Sequence, residues 1–442
     1  MIQTRGRLIG GFWLYLAVTG LFPLPAAQSD SHSESSSSPR VSSAVRVAAL
    51  EKVAGYLRSA PGDIEQPAVL APFLEQLYRI DGLKLREPVH ILHFGDSHTA
   101  ADEWTDGIRR PLKERFGDGG PGFAFAGHPF PGYHRFDVRA GGGSGAWRAE
   151  GLRLAEGDGY FGLGGVSIST QRADQSVFIE TECDVLEIHY LQQADGGTLA
   201  LYDGDELVEK FSTAGELSPA FKRYPTSSGQ HRFTLKTLTN RPVRLFGWAA
   251  DRNSGVTYEA LGINGAEASV ILRWNEDMLA TYLQLRKPAL IVLAYGTNEA
   301  VEPRRSVEPY QTMFATLLER FRRACPSVPI LVIGPPDGYV RSHGRWHPLP
   351  DADGIIAAQQ IACRRTGCAF WDIRERMGGA GAMRDWAFAG LAQRDYIHFT
   401  QAGYHRLAEI FVTDLLRQYD LFKKVRSLLM DSSLHGQTNQ NH

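Results

Sequence analysis

The chain has 442 residues, 43% hydrophobic and 22% charged, with 47 basic against 49 acidic side chains. That length allows two or three domains and a sizeable core. The near-neutral balance offers no basic excess for nucleic acid, and no nucleic-acid partner is expected.

The first residues read as an address. Arg5 and Arg7 precede an apolar run from Leu8 to Leu24, and Ala26 and Ala27 follow. A positive start, a short apolar stretch and small residues are the parts of a secretory signal. Gly10, Gly11 and Gly20 interrupt the run and weaken it as a membrane span. Residues 1–27 are therefore expected to be a signal peptide cleaved near Ala27, the alternative being an uncleaved inner-membrane anchor. Apart from this export signal, no stretch is apolar and long enough to cross a bilayer. Residues 28–43 are rich in Ser and polar groups, and read as a disordered linker.

From Val45 to Arg86 the pattern is helical, with Leu50, Val53 and Leu57, then Leu70, Phe73, Leu74, Leu77 and Tyr78 at three-and-four spacing. Pro88–Phe94 is a short apolar run ending before a glycine, the signature of a buried strand. Thr99–Phe116 repeats Trp104, Ile108, Leu112 and Phe116 every four residues, a helix that Pro111 is expected to bend or break. The texture then changes. Pro121 to Asn253 is Gly-rich, with short alternating stretches such as Val166–Ser169, Val185–Tyr190, Thr198–Leu201 and Phe233–Leu235. Turn signals such as Asp203-Gly204 separate them, so an inserted all-β sandwich is expected.

After Gly255 helices and strands alternate again. A helix is expected over Ala266–Leu285, a strand over Pro288–Tyr295, and a helix over Tyr310–Ala324. A strand over Pro329–Gly334 follows, then a helix over Gly354–Arg365, a strand over Cys368–Ile373 and a last helix over Gln401–Tyr419. Buried strands alternating with helices imply a parallel sheet covered on both faces. The expected organisation is an α/β domain in two parts, 44–122 and 255–424, the β-insertion at 123–254, and a polar C-terminal tail at 425–442. Cys183, Cys325, Cys363 and Cys368 suit an oxidising compartment. Cys363 and Cys368 could bridge, or all four could be separate buried thiols.

Ligands of open parallel sheets sit beyond the carboxyl ends of the strands, and four segments there can carry chemistry. Ser97 follows Gly95-Asp96 after the first strand, where a helix N-terminus would stabilise an oxyanion, although Asp96 or Ser97 could equally be a plain cap. Asp395 and His398 stand three apart before the last helix, as an orienting acid and a base, or as a capping arrangement. Asn298 ends Tyr295-Gly296-Thr297-Asn298, where its amide could donate to an oxyanion or merely close a turn. Gly265, in Ile263-Asn264-Gly265-Ala266, would let its N–H approach a substrate oxygen unobstructed. His93 and His98 lack metal-ligand spacing, so no metal and no cofactor are expected. The glycine runs 117–122 and 141–145 lack the Lys-Ser/Thr of a phosphate loop.

In this order, Gly95-Asp96-Ser97, Gly265, Gly296-Thr297-Asn298 and Asp395-x-x-His398 resemble the SGNH (GDSL-type) hydrolases. The resemblance covers about residues 88–121 and 255–419. It implies a flavodoxin-like three-layer α/β/α fold, catalytic Ser97, Asp395 and His398, and an oxyanion hole of the Ser97 N–H, the Gly265 N–H and the Asn298 amide. His98 stands where the family often has Leu. The segments 95–100, 116–122 and 261–266, the β-rich insertion, and the run from Met377 to Phe399 are similar to the exported peptidoglycan O-acetylesterases of Gram-negative bacteria.

That likeness implies a periplasmic serine esterase whose partner is an O-acetylated glycan, peptidoglycan, and whose substrate group is the C6 O-acetyl of N-acetylmuramic acid. It also implies that the insertion resembles a carbohydrate-binding module. A carbohydrate O-acetyltransferase or another esterase or lipase would use the same residues, and a non-catalytic cell-wall glycan-binding protein would need none of them. The oligomeric state is left open.

Overall fold

The computed structural model describes residues 41–438, apart from 61, 143–144, 153–156, 228 and 304–305. The expected signal peptide and nearly all of the expected linker lie outside the described residues. Two helices open the body, α1 (Ser43–Ser59) and α2 (Ala71–Asp81). They lead to strand β1 (Pro88–Gly95), the short helix α3 (Ser97–Ala100) and helix α4 (Glu103–Phe116). Past the insertion come β2 (Gly255–Gly262), α5 (Glu276–Arg286), β3 (Leu290–Ala294), α6 (Glu308–Ala324), β4 (Ile330–Ile333), α7 (Ala352–Thr366), β5 (Ala369–Trp371) and α8 (Gln401–Thr438).

The five strands form one parallel sheet in the order β2-β1-β3-β4-β5. This is the flavodoxin-like order, in which the chain reverses direction across the sheet at β1. Successive residues of a strand point to opposite faces, and here both faces are buried. Leu92, Phe94, Leu261 and Leu293 join one core with residues of α5, α6 and α7. Val89, Ile91, Tyr258 and Val292 join a second core with residues of α1, α2, α4 and α8. An apolar run such as Leu290–Ala294 therefore serves two layers at once.

The insertion folds as two antiparallel sheets enclosing a third core, with Leu186, Ile188, Leu199, Leu235 and Trp248 among its residues. One sheet runs Ser218–Pro225, Val185–Gln192, Val243–Asp251, Ser167–Thr170 and Arg148–Glu150, with Gly122–Phe125 also paired to Val243–Asp251. The other runs Arg139–Gly142, Ser176–Glu182, Gln230–Thr237, Thr198–Asp203 and Glu206–Ser212. The chain enters and leaves through adjacent strands, held together where Gly119 N donates to Val256 O and Arg252 N to Gly119 O.

Several local expectations differ from the structure. The break after the turn bearing Ser97 falls at Asp102, whose φ is +57°, and α4 runs through Pro111. The helix expected from Ala266 to Leu285 is a 3-10 turn over Ala268–Arg273 followed by α5, because Asn275 takes an extended conformation and caps Met278 N. The last helix continues past Tyr419 to Thr438, through the stretch expected as a tail. All four cysteines are free and buried, so Cys363 and Cys368 are not bridged. Among the described residues no helix is long and apolar enough to cross a membrane.

Candidate active site

β1 ends at Gly95, and Asp96 turns the chain into α3. The Asp96 carboxylate accepts the His98 N–H at 3.0 Å, capping the helix, so that Ser97 occupies its first turn. The cap is thus Asp96, and the Ser97 side chain is not used for capping. Two glycines make this tight packing possible. A Cβ on Gly95 would lie 2.1 Å from Thr99 Oγ1, and one on Gly262 would lie 2.2 Å from the Ala100 nitrogen.

Ser97 Oγ lies 2.9 Å from His398 Nε2, and His398 Nδ1 lies 2.7 Å from Asp395 Oδ2. The loop before α8 creates the second contact locally. Asp395 Oδ1 accepts the N–H groups of Ile397 and His398, each at 3.0 Å, which aims its other oxygen at the imidazole. Burial works to raise the Asp395 carboxyl, but these hydrogen bonds outweigh it and hold it down at about 2. The same carboxylate raises His398 above the ordinary histidine value, against the opposing effect of burial.

Gly265 and Asn298 converge on the same edge. Ala266 N donates to Ile263 O across a turn whose third residue, Gly265, has a φ of +70°. A positive φ at that position is the type II turn requirement, met without strain by glycine, and the turn's own hydrogen bond leaves the Gly265 N–H unused. Asn298 Nδ2 donates to Ala266 O at 2.9 Å and approaches Asp96 Oδ2 at 3.5 Å. The amide therefore ties the Gly265 turn to the turn bearing Ser97, with its second hydrogen only weakly held. Asp96 is 1% exposed, and burial pushes its carboxyl up to about 6.

Three features escape the sequence reading. His98, next to Ser97 in the sequence, is 5% exposed and buried beside it, its Nδ1 2.8 Å from the Tyr404 hydroxyl. Its ring centroid is 5.2 Å from that of His398. Glu299 accepts the Ala268 N–H at 2.8 Å, a second link between the Asn298 turn and the Gly265 turn. The insertion also reaches the site: His134 N donates to Ala100 O at 3.1 Å, and Asn264 Nδ2 donates to Pro131 O at 2.8 Å. The only sequence signal for the first is a histidine beside Ser97; the other two have none. His93 is fully buried in its strand, 2.8 Å from the Tyr258 hydroxyl.

Residues 228–406 match the model of the GDSL-like Lipase/Acylhydrolase family. The matched span holds Gly265, Asn298, Asp395 and His398, while Ser97 precedes it across the insertion. No curated protein matches the sequence significantly. Among solved structures, the chain is similar to a peptidoglycan O-acetylesterase captured in action, at 24% identity and a TM-score of 0.67, over 79% of this chain and 96% of that one. A family two carbohydrate esterase from Clostridium thermocellum aligns at 11% identity and a TM-score of 0.28, over 57% of this chain and 94% of that one. Another from Cellvibrio japonicus aligns at 8% and 0.28, over 64% and 98%. Over residues 228–406 the chain is thus similar to the GDSL-like lipases and acylhydrolases, and its fold, with the flavodoxin-like sheet, is similar to that of the peptidoglycan O-acetylesterase.

Proposed function

We propose that the protein is a serine esterase that removes O-acetyl groups from a cell-wall glycan, specifically the C6 O-acetyl of N-acetylmuramic acid in peptidoglycan. The observation that carries the chemistry is the hydrogen-bonded series Ser97, His398, Asp395 at the edge of the parallel sheet. The substrate is supported by the likeness in fold to a peptidoglycan O-acetylesterase. Residues 1–27 act as the export signal, the residues from 28 up to α1 as the linker, and the enzyme works in the periplasm.

In this reading His398 Nε2 takes the proton of Ser97 as Oγ attacks the acetyl carbonyl. Asp395 fixes the tautomer with Nδ1 protonated and stabilises the imidazolium. The oxyanion receives the Ser97 N–H, the Gly265 N–H and the second amide hydrogen of Asn298, which swings from Asp96. His398 then protonates the leaving sugar oxygen, and water releases acetate by the reverse sequence.

Acetate release from O-acetylated peptidoglycan, compared with the de-O-acetylated polymer, tests the proposal. The wild type releases acetate only from the first, and Ser97→Ala releases none. Transfer of acetyl to a glycan acceptor without free acetate would make it an acetyltransferase. Turnover by Ser97→Ala near the wild-type rate would overturn the assignment.

A further inference from the structure

Behind the Ser97 turn lies a small cavity lined by Asp96, His98, Trp104, Tyr295, Thr297 and Tyr404 among others, with about 20 Å³ of room for the centre of a water molecule. A site of roughly 10–15 Å³ on this measure holds one water when polar groups surround it. Three buried polar atoms on the side chains that line it have no hydrogen-bond partner among the described residues, His98 Nε2, the Trp104 indole N–H and the Tyr295 hydroxyl. Those residues are 5%, 3% and 1% exposed, so bulk solvent does not satisfy them. An orphaned buried polar group is costly.

The occupant's chemistry follows from these groups. Burial holds His98 down at about 3, so its ring is neutral, with one nitrogen bearing a proton and the other not. Tyr404 takes Nδ1 in either tautomer. Nε2 therefore needs a partner able to donate or accept, the Tyr295 hydroxyl needs the same, and the Trp104 indole N–H needs an acceptor. A neutral molecule that does both, in the room for one, is water. An anion is disfavoured by the buried Asp96 carboxyl on the same wall.

We propose that one ordered water fills this cavity, bonded to His98 Nε2 and the Tyr295 hydroxyl, and that His98, held between this water and Tyr404, is a positioning residue for His398. The second half rests on the assignment of His398 as the base. His98 follows Ser97 directly and packs against His398 and against Phe399, with centroids 5.2 and 6.0 Å away. Tyr404 carries the far side of the ring on α8. A ring fixed at both nitrogens fixes the floor on which the His398 imidazole rests, and a neutral ring leaves room for the charge that His398 acquires.

Three measurements test this. A high-resolution crystal structure shows a water within hydrogen-bond distance of His98 Nε2; clear absence of density there overturns the water. Tyr295→Phe removes only the hydroxyl. With the water present it removes a hydrogen bond, and Tm falls by about 2 °C; an unchanged or higher Tm means the hydroxyl was unsatisfied, and the water is overturned. On 4-nitrophenyl acetate, His98→Leu lowers kcat about tenfold at unchanged KM, and His98→Gln, whose amide can still donate and accept, recovers most of it. Equal loss in both variants, or loss confined to KM, overturns the positioning role. Should the wild type hydrolyse no ester, the function proposed above fails, while the density and the Tm still decide the water.

Discussion

At the scale of single residues, the candidate site separates charge from burial. Asp395 is half-exposed and held ionised by three hydrogen bonds, whereas Asp96 is fully buried and pushed up to about 6. The first can support an imidazolium; the second acts as a cap and as the resting acceptor of the Asn298 amide. If His398 is the base, activity requires it neutral, and its carboxylate partner raises its pKa. The acidic limb of kcat/KM against pH is therefore expected with a midpoint above the ordinary histidine value of about 6.5, rate being lost as pH falls through it. Asp395→Asn removes the cause of the upward shift, and its residual activity should lose rate at lower pH than the wild type. A limb that stays in place would detach Asp395 from the base. Asn298→Ala should lower kcat roughly a hundredfold or more if the amide meets the oxyanion, and an unchanged kcat would remove it from that role. These residue types and their order were legible in the sequence because each stands at a strand end. The burial of Asp96 and His98 was not, since it depends on α8 closing over them.

At the scale of elements, the decisive contact is between α3 and the end of β2. Gly262 faces the α3 backbone, and a Cβ there would lie 2.2 Å from Ala100 N and 2.6 Å from Thr99 C. Backbone cannot yield as a side chain can, so Gly262→Ala must push α3, and Ser97 with it, away from the sheet. We expect a loss of about 1–3 kcal/mol, typical of overpacking, with kcat reduced alongside; thermal denaturation and ester hydrolysis read the two. Wild-type values in both would show that α3 is not seated by this contact. The periodicity that marked α4, α6 and α7 reflects one buried stripe per helix, a local property. β2 went unread as a strand: Gly255–Gly262 contains Thr257 and Glu259, both buried, which interrupt an apolar run. Its strand character comes from pairing with β1, and its buried carboxylate from an arginine beyond the strand.

That arginine belongs to the whole-molecule scale. Arg286, 4% exposed at the end of α5, donates to Glu259 on β2 at 2.6 Å and to Asp251 on the last strand of the sandwich at 2.7 Å. Burial alone would raise the Asp251 carboxyl, yet the Arg286 guanidinium lowers it. One cation thus joins the insertion to the α/β body. Arg286→Leu leaves two buried carboxylates unpaired, and a loss of about 3–5 kcal/mol is expected. The sign with pH follows. In the variant the folded-state carboxyl pKa values rise above their unfolded values, so stability is lost as pH rises. The variant should lie further below the wild type at pH 8 than at pH 5, as measured by thermal denaturation. A pH-independent difference would show that the charges, not the packing, are unimportant.

The sequence by itself determined the α/β class, the inserted β-region between residues 122 and 255, and the four segments at strand ends. These follow from local rules, namely the period of apolar residues and the turn chemistry of glycine, asparagine and aspartate. Parallel strands place all their carboxyl ends at one edge, so residues scattered from 97 to 398 could be assigned to one site before any contact was known. Only the tertiary structure decided which side chains touch. Ser97 and His398 are 301 positions apart, His98 finds its partner on α8, and residues 131 and 134 of the insertion close on Asn264 and Ala100. Such contacts are set by how layers pack and which charges must be paired once buried, and no stretch of sequence short enough to have a period contains that information.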